Sequence, residues 1–422
     1  MRVAVIGAGY VGLIQAAGLA SLGHRVVIGE RDPERISILR AGKVPFAEPG
    51  LAELLAGAGD RLSFEEDNRV AVRDAGVAFI AVPTPESADG SADLSIVDLV
   101  VDEVMSSLDP GAILAVKSTI PIGTIDRIAG QFRSAGRDDV NLASNPEFLA
   151  EGSAVSDFMN PDRIVIGARS EKAARTLTEL YADLEAPMVV TDPVSAEMIK
   201  YASNAYLATR VTFGNAIANV CEAVGADVSD VLLGVGHDGR IGHHFMKPGP
   251  GFGGSCFPKD TKALVRIADA AGYRFSLLEG VIEVNEAQHQ RVVEKVRIAA
   301  GGSLEGRTIG LLGLAYKAGT ADLRGSPALE LARLLQSSGA LVRAFDPAVQ
   351  AGIAGVETVA SAIEATRGAD VVLIATEWDE FVQLDLNSVR AAMSGDAIVD
   401  ARNVLDPATV RAAELRYTGV GR

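Results

Sequence analysis

The stretch Val3-Ala-Val-Ile-Gly7-Ala-Gly9-Tyr-Val-Gly12 decides the fold. A short apolar run, typical of a buried strand, leads into a Gly-x-Gly-x-x-Gly pattern, and apolar residues then recur at helical spacing to about Leu22. A second apolar run begins at Arg25 and ends at the acid Glu30. Strand, glycine turn, helix and distal acid together predict a Rossmann-like unit that binds a dinucleotide.

The glycine fingerprint also predicts how the dinucleotide is held. Gly7 makes the turn, Gly9 lets the pyrophosphate approach the backbone, and Gly12 allows the helix to pack closely on the strand. The N-terminus of the helix supplies N–H groups and a positive dipole for the phosphates. The Glu30 carboxylate is placed to accept hydrogen bonds from ribose hydroxyls and to repel a 2′-phosphate. This favours NAD over NADP, although the nearby cations Arg31 and Arg35 are also compatible with a 2′-phosphate.

Polar clusters follow three further apolar runs, which begin at Val77, Ala112 and Val140. In a parallel sheet such clusters lie at the carboxyl ends of the strands, where ligands bind. Thr84 and Thr119 are therefore candidate contacts of a cofactor or substrate. On spacing alone, a helix cap or a turn accounts for either threonine equally well.

Two carboxylates, Glu147 and Glu151, lie four residues apart in the segment Asn145–Gly152. If that segment is helical, both carboxylates share one face. A solvated face is the simplest interpretation, but Pro146 and Phe148 favour a segment that packs against other residues.

A long helical pattern from about Pro193 to Val224 carries Lys200 and Asn204. Their spacing places an ammonium and an amide side by side, where together they could stabilise a developing oxyanion. The alternative is a lysine that extends to solvent beside a cap-like asparagine. Cys221, among apolar residues of the same helix, is predicted to be buried.

The other cysteine, Cys256, lies in the glycine- and proline-rich stretch Lys247–Asp260. A stiff loop lined by glycines suits a nucleophile that must meet a carbonyl carbon at a fixed angle. A buried, inert thiol is the commoner state of a lone cysteine. Lys259 and Asp260, which follow closely, favour the nucleophile.

A second βαβ pattern opens at Arg307–Gly313, after a glycine-rich linker. The run Ala340–Asp346 repeats the earlier strand that ends in an acid, but the glycine fingerprint is missing. Lys317 and Arg324 fall in the loop after the first strand of this pattern, a natural place for cations that pair with phosphate. For either cation alone, solvation at the surface is at least as good an explanation, whereas together with Arg402 they favour a site.

The chain as a whole is expected to form an α/β fold. It should comprise two Rossmann-like, doubly wound domains joined by a long central helix and a helical middle segment, over residues 1–193, 194–302 and 303–422. The net charge of −16 argues against general nucleic-acid binding. Two cysteines make no disulfide framework, and no apolar run is long enough to predict a membrane span. We expect a cytoplasmic protein without a metal, a nucleic-acid partner or a membrane partner.

Together these stretches resemble the UDP-glucose/GDP-mannose dehydrogenase family over nearly the whole chain. Further matching stretches are Pro45–Leu51, Val82–Pro85, Lys117–Thr119, Arg240–Gly242, Gly313–Pro327, Thr376–Asp379 and Tyr417–Arg422. The resemblance implies a four-electron oxidation of a sugar C6 alcohol to a carboxylate with two NAD in succession. It also implies that the N-terminal domain binds NAD and the C-terminal domain binds the UDP moiety.

The resemblance implies roles for individual residues as well. The catalytic roles are Cys256 as the nucleophile of a thiohemiacetal and then a thioester, Asp260 on water, Lys200 and Asn204 on oxyanions, and Thr119 and Glu147 on the water or the first proton transfer. The implied cofactor contacts are Gly7, Gly9, Tyr10, Val11, Gly12, Glu30, Arg35, Thr84, Thr119, Glu151 and Arg324. The implied substrate contacts are Glu147, Phe148, Leu149, Glu151, Lys200, Asn204, Arg240 from a neighbouring subunit, Lys247, Phe252, Gly253, Lys317 and Arg402.

UDP-glucose is the expected substrate, because Phe257 follows the cysteine as in the UDP-glucose enzymes. The alternatives are GDP-mannose, whose enzymes usually carry leucine there, and another UDP-sugar. A non-catalytic nucleotide-sugar binding protein would have lost Cys256, Lys200 or Asp260, and all three are present. A two-domain β-hydroxyacid dehydrogenase would need neither Cys256 nor a second nucleotide domain.

We expect a homodimer or larger homo-oligomer, since the apolar faces of the central helix exceed what one subunit could cover. Glu30 replaces the family's usual aspartate, and the ribose contact is expected to survive the extra methylene.

Overall fold

The computed structural model describes residues 1–349 and 352–422 and separates them into two compact units. The first unit comprises Met1–Ser203 with Arg266–Ala271, and the second comprises Asn204–Val265 with Gly272–Arg422. The domain boundaries expected near residues 193 and 302 stay a prediction.

The first unit is built around a sheet of eight strands. These are β1 (Arg2–Ile6), β2 (Arg25–Gly29), β3 (Leu62–Glu65), β4 (Val77–Ile80), β5 (Ile113–Val116), β6 (Asn141–Ser144), β7 (Ile164–Ala168) and β8 (Met188–Thr191). Their order in the sheet is β3-β2-β1-β4-β5-β6-β7-β8, and among these described strands only the pairing of β6 with β7 is antiparallel. The helices are α1 (Tyr10–Ser21), α2 (Pro33–Arg40), α3 (Leu51–Ala58), α4 (Asn68–Ala71), α5 (Ser95–Val104), α6 (Thr124–Ser134), α7 (Ala154–Met159) and α8 (Glu171–Leu180), with a 3₁₀ turn at Gly59–Arg61.

Both faces of this sheet are covered, which explains why its strands are continuous apolar runs. Val3 and Val5 of β1 belong to the core shared with α1, α3 and α8. Ala4 and Ile6 point the other way, into the core shared with α5 and α6. Because β1, β4 and β5 pair in parallel, their carboxyl ends lie at one edge of the sheet, and the predicted ligand contacts follow them there.

The helix α9 (Pro193–Val224) has 32 residues and the bounds predicted from the sequence. It is followed by α10 (Val228–Gly236), α11 (Phe257–Ala270) and α12 (Ser276–Ala299). Cys221 is buried against Ala218, Val228 and Val420, so its predicted place in the core is confirmed. Among the described helices, none is apolar enough over a sufficient length to cross a membrane.

The second unit contains a parallel sheet of six strands, in the order β11-β10-β9-β12-β13-β14. The strands are β9 (Thr308–Leu312), β10 (Leu341–Phe345), β11 (Val356–Thr358), β12 (Val371–Ile374), β13 (Ala397–Asp400) and β14 (Arg416–Thr418). The helices are α13 (Pro327–Ser337), α14 (Ala362–Thr366), α15 (Asp379–Val382), α16 (Leu386–Ala392) and α17 (Pro407–Ala412). Leu311 and Leu312 enter cores on opposite faces of the sheet. The predicted α/β class with two Rossmann-like sheets is confirmed.

The segment Asn145–Gly152 contains no helix, so the expectation of two carboxylates on one helical face is wrong. Glu147 folds back and accepts the N–H of Leu149 through Oε2 at 2.6 Å, a local bond that competes with helix formation. Gly152 has φ +83, which also interrupts a helix, and α7 begins only afterwards. The segment is a loop that follows β6.

Candidate active site

The turn after β1 shows different constraints at its three glycines. Gly7 has φ +100, and a Cβ there would lie 2.8 Å from the carbonyl oxygen of Ala81. A Cβ on Gly12 would overlap the carbonyl oxygen of Gly7. A Cβ on Gly9 would meet no protein atom within 4 Å, and its φ of −72 suits any residue. Protein packing therefore requires glycine at positions 7 and 12, whereas at position 9 only an approaching ligand would require it. The turn fits the pyrophosphate of a dinucleotide.

Glu30, at the end of β2, is fixed by backbone N–H groups. Its Oε2 accepts the N–H of Ala8 at 2.9 Å, and its Oε1 accepts those of Arg31 and Asp32 at 2.8 and 3.0 Å. The Nη1 of Arg35 lies 3.9 Å from Oε2. The carboxylate keeps partial access to solvent, with 14% of the side chain exposed, so it remains available to a ribose. The structure thus brings Glu30 and Arg35 together beside the turn.

Glu48 is a residue that sequence reasoning did not single out. It accepts hydrogen bonds from the Tyr10 hydroxyl and from the N–H groups of Gly152 and Ala154. Burial, together with the hydrogen bond and charge of Glu48, raises the pKa of Tyr10 above its ordinary value. Glu48 joins the first turn of α1 to the loop that carries Glu151. The available signal was its position in the stretch Pro45–Leu51, whose glutamate is flanked by prolines and glycine.

The two threonines at the strand ends contact each other. The Thr84 hydroxyl donates to the carbonyl oxygen of Thr119 at 2.9 Å. Thr84 is buried, while Thr119 is half-buried after β5. Thr84 therefore has a structural role in holding the loop of Thr119.

Lys200 and Glu147 form a buried ion pair in the first unit. Lys200 Nζ donates to Glu147 Oε1 at 2.8 Å, and the side chains are only 5% and 8% exposed. Burial by itself raises the pKa of Glu147, but the charge and hydrogen bond of Lys200 outweigh burial and hold that pKa below its ordinary value. Lys200 Nζ also lies 5.4 Å from the ring centre of Phe148, and the Arg163 guanidinium stacks on the same ring at 3.6 Å. Glu147 is thus an ionised carboxylate in an enclosed environment.

In the second unit, Cys256 immediately precedes α11 and its side chain is exposed. The positive end of the helix dipole lies at this position, which suits a negatively charged sulfur. Asp260 follows one turn later and is fully buried. Its Oδ1 accepts Lys259 Nζ at 2.5 Å and its Oδ2 accepts Asn204 Nδ2 at 2.6 Å. The structure thus groups an exposed thiol, the predicted nucleophile, with a fixed carboxylate and its two donors.

Three amide side chains that sequence reasoning missed hold the loop before Cys256. Asn285 of α12 accepts the N–H of Phe252 at 2.7 Å and donates to its carbonyl oxygen at 3.2 Å. Asn215 and Gln288 bond the N–H and carbonyl oxygen of Gly249 at 2.7 and 2.9 Å. Buried amides at helical spacing, as at 285 and 288, were the available signal. They fix the backbone so that the thiol is presented in one orientation.

The same loop packs on the segment between β9 and α13. The N–H of Gly254 donates to the carbonyl oxygen of Gly325 at 3.1 Å. Arg402 donates to the carbonyl oxygens of Ala375 and Tyr316 at 2.9 and 3.3 Å. Lys317 Nζ lies 5.7 Å from the ring centre of Tyr316. The structure therefore brings the predicted substrate residues Phe252, Gly253, Lys317 and Arg402 into one region of the second unit.

Other predicted contacts are not gathered into these groups. Arg240 is paired with Asp238 at 2.6 Å and its side chain is 89% exposed. Arg324 is paired with Asp322 at 2.5 Å. Lys247 is exposed, and Glu151 lies half-buried in a turn. Val11 and Leu149 are partly buried against the core of the first unit. The ligand roles of all these residues stay predictions.

Within residues 1–349 and 352–422, no group of three His, Cys, Asp or Glu side chains could hold a metal ion.

Three family models match the chain in order. They are the NAD binding domain, the central domain and the UDP binding domain of the UDP-glucose/GDP-mannose dehydrogenase family, over residues 1–185, 194–287 and 310–407. The chain belongs to this family. The predicted family and the predicted cofactor NAD are confirmed, and the chain is an NAD-dependent oxidoreductase.

Individual relatives match this chain over its full length. A UDP-glucose 6-dehydrogenase of Bacillus subtilis is 44% identical, and the match covers all of this chain and 93% of the relative. The structure of a UDP-glucose dehydrogenase of Pyrobaculum islandicum superposes with a TM-score of 0.93 at 39% identity, covering 100% of this chain and 97% of that one. A UDP-D-ManNAc dehydrogenase of Pyrococcus horikoshii gives 0.90 at 29% identity, covering 100% and 99%.

Proposed function

We propose that this chain oxidises the C6 alcohol of UDP-glucose to a carboxylate, with Cys256 as a covalent nucleophile. The observation that carries the proposal is the start of α11, where an exposed thiol precedes a buried Asp260 held by Asn204 and Lys259. The family supplies the NAD and UDP-sugar chemistry, and the names of the relatives favour UDP-glucose.

We assign the cofactor to residues 1–193, the thiol to 194–302 and the UDP moiety to 303–422. The turn at Gly9 and the carboxylate of Glu30 fit the pyrophosphate and ribose of NAD. When bound, NAD accepts one hydride from the sugar C6 in each of the two oxidations. Lys317 and Arg402 supply cations for the diphosphate.

The chain's own residues carry the remaining steps. Glu147, assisted by Thr119, receives the proton that the C6 hydroxyl loses. The thiol of Cys256 adds across the C=O bond of the resulting aldehyde: its sulfur bonds to C6 and its proton passes to the oxygen, which gives a thiohemiacetal. The second oxidation removes the remaining hydride from C6 and the proton of that hydroxyl, and it leaves a thioester. Asp260 activates water, whose oxygen bonds to C6 while the C–S bond breaks. The products are a carboxylate and the free thiol.

The test measures NADH at 340 nm with limiting nucleotide sugar and excess NAD. UDP-glucose is expected to yield two NADH per molecule, and GDP-mannose and UDP-N-acetylmannosamine none. Turnover of GDP-mannose alone would retain the chemistry and overturn the substrate. Binding of UDP-glucose without any NADH would favour a non-catalytic binding protein.

Replacing the nucleophile separates chemistry from binding. Cys256→Ser is expected to abolish sustained turnover, because a serine hydroxyl is a far weaker nucleophile than a thiolate. The Kd for UDP-glucose, measured by calorimetry, should stay within about twofold. Cys221→Ala is the matched control and should retain turnover, since Cys221 is buried in a core. Wild-type steady-state rates in Cys256→Ser would contradict the thioester mechanism.

We also propose a homodimer formed through α9. Tyr206, Phe213, Val220 and Val224 are 62%, 50%, 56% and 72% exposed, and their spacing places them along one side of the helix. Phe213→Glu is expected to yield a monomer in sedimentation velocity. A wild-type monomer at micromolar concentration would overturn the dimer.

A further inference from the structure

Lys117 is a buried cation to which neither the family models nor the sequence motifs give a role. It follows β5 and is only 7% exposed. Its Nζ donates to Asn145 Oδ1 at 3.1 Å and lies 3.4 Å from the Tyr181 hydroxyl. Both partners are uncharged. A buried ammonium whose hydrogen-bond partners are neutral is unfavourable compared with an apolar side chain of the same size. Its presence therefore indicates that the charge itself is used.

The hydrogen bonds around Lys117 form a buried network that leads along the chain towards Glu147. The Tyr181 hydroxyl donates to Asn145 Oδ1 at 2.7 Å and accepts from Gln15 Nε2 at 2.7 Å. Asn145 Nδ2 donates to the carbonyl oxygen of Val165 at 2.7 Å. Asn145 is fully buried and precedes Glu147 by two residues. The network thus fixes the backbone from which the Glu147 carboxylate projects.

Lys117 and Glu147 line the same cavity, which has a volume of about 120 Å³. The other charged groups facing it are Asp157, Asp162 and Arg163, and Lys200 contacts Glu147 directly. Burial lowers the pKa of Lys117 to about 7, with Glu147 opposing this shift and Lys200 adding to it. In turn, the charge of Lys117 contributes to the low pKa of Glu147 after the larger effects of burial, Lys200 and the Leu149 N–H. The two side chains therefore interact electrostatically across a small cavity.

We propose that Lys117 is a positioning residue for the oxidation: together with Lys200 it provides the second positive charge that keeps Glu147 ionised as a proton acceptor. The inference rests on the function proposed above, in which Glu147 receives a proton. Of the two lysines, Lys200 contacts the Glu147 carboxylate directly, whereas Lys117 faces it across the cavity. Lys117 is about half charged near pH 7 and gains charge as the pH falls, so its influence is greatest where Glu147 would otherwise begin to take up a proton.

The experiment compares two neutral replacements, Lys117→Met and Lys117→Gln, by the pH dependence of kcat. Glutamine can still donate to Asn145 Oδ1, whereas methionine cannot. Removing the positive charge raises the pKa of Glu147, so both variants are expected to shift the acid limb of kcat upward by about half a pH unit or more. KM for UDP-glucose should change little. Lys43→Met, which removes an exposed lysine of the same unit, is the matched control and should leave the profile unchanged.

The two variants distinguish charge from hydrogen bonding. A shifted limb in both supports the inference, whereas a wild-type limb in Lys117→Gln, or a lower kcat with an unshifted limb, overturns it. A second measurement does not depend on turnover. The folded-state pKa of Lys117 lies below that of the unfolded chain, so the unfolded state binds more protons between about pH 7 and pH 10. Wild-type stability should rise with pH through that window, and both variants should lose this slope.

Failure of this inference can be told apart from failure of the proposed function. If the wild-type protein gives no NADH with UDP-glucose, the proposed function fails, and the unfolding slope still tests the buried charge. If the wild-type protein gives two NADH but the variants retain its unfolding slope, Lys117 is not a buried cation and this inference alone fails. If Lys117→Met does not fold, Lys117→Gln retains the hydrogen bond and carries the test.

Discussion

The two Rossmann-like sheets begin with the same turn and then diverge. Gly7 after β1 and Gly313 after β9 have φ +100 and +103. The N–H of each donates to the neighbouring strand, to the carbonyl oxygens of Gly29 and Phe345, at 2.8 Å in both. The helix then begins at Tyr10 in the first sheet, three residues after the glycine, but only at Pro327 in the second, fourteen residues after it. The first turn can present a helix N-terminus to phosphates, while the second inserts a loop that carries Lys317.

The acids at the ends of β2 and β10 also differ. Glu30 is held by three N–H groups and remains partly exposed. Asp346 is buried, and its oxygens accept the N–H groups of Leu314, Ala315 and Ala348. The same position is therefore open to a ligand in the first sheet and fully used by the protein in the second. The comparison shows that a repeated fold pattern does not imply a repeated binding mode.

The largest expected effect tests the structural role of the second acid. Asp346→Ala leaves three backbone N–H groups without their acceptor in a buried site, and it should lower the free energy of unfolding by about 3–5 kcal/mol. Glu30→Ala is the matched change in the first sheet and should cost about 1 kcal/mol or less, because water can replace the carboxylate there. Urea denaturation of both variants measures the difference. Equal losses would show that the two acids are equivalent after all.

The next effect tests the ligand role of the first turn. Gly9→Ala should raise KM for NAD by about tenfold or more, since the added Cβ occupies the place of the pyrophosphate. Its melting temperature should remain that of the wild type, because no protein atom lies within 4 Å of the added carbon. Gly12→Ala is the control and should lose stability as well, through overlap with the carbonyl oxygen of Gly7. Normal NAD kinetics in Gly9→Ala would remove the ligand explanation for this glycine.

A smaller effect is expected for the cation of the second loop. Lys317→Met should weaken binding of UDP by about tenfold, through loss of one charged contact to the diphosphate. Binding of uridine, which lacks phosphates, and of NAD should be unchanged in calorimetric titrations. If NAD rather than UDP loses affinity, the assignment of ligands to the two sheets must be revised.

Much of the fold followed from local patterns in the sequence. Continuous apolar runs predicted the buried parallel strands, and uninterrupted apolar spacing gave both ends of α9. The helical interpretation of Asn145–Gly152 was wrong. A spacing of four between two carboxylates is compatible with a helix, whereas the hydrogen bond between Glu147 and the N–H of Leu149 leaves no periodic signal in the sequence. The candidate nucleophile Cys256 and the candidate acid Asp260 were recognisable since they lie four residues apart, about one helical turn. Glu48 and Asn285 were missed because their partners are distant in sequence.

The sequence by itself determined the class of fold, the glycine turn of the NAD-binding domain and the family, and it singled out Cys256 as the candidate nucleophile. These features depend on residue types at short, fixed spacings, which local backbone geometry translates directly into structure. Only the tertiary structure decided which charges are enclosed. The Lys200–Glu147 pair, the donors on Asp260 and the buried side chain of Lys117 with its neutral hydrogen-bond partners each require residues from different elements to meet. Burial and long-range contact set their electrostatics, and neither property is encoded by local spacing.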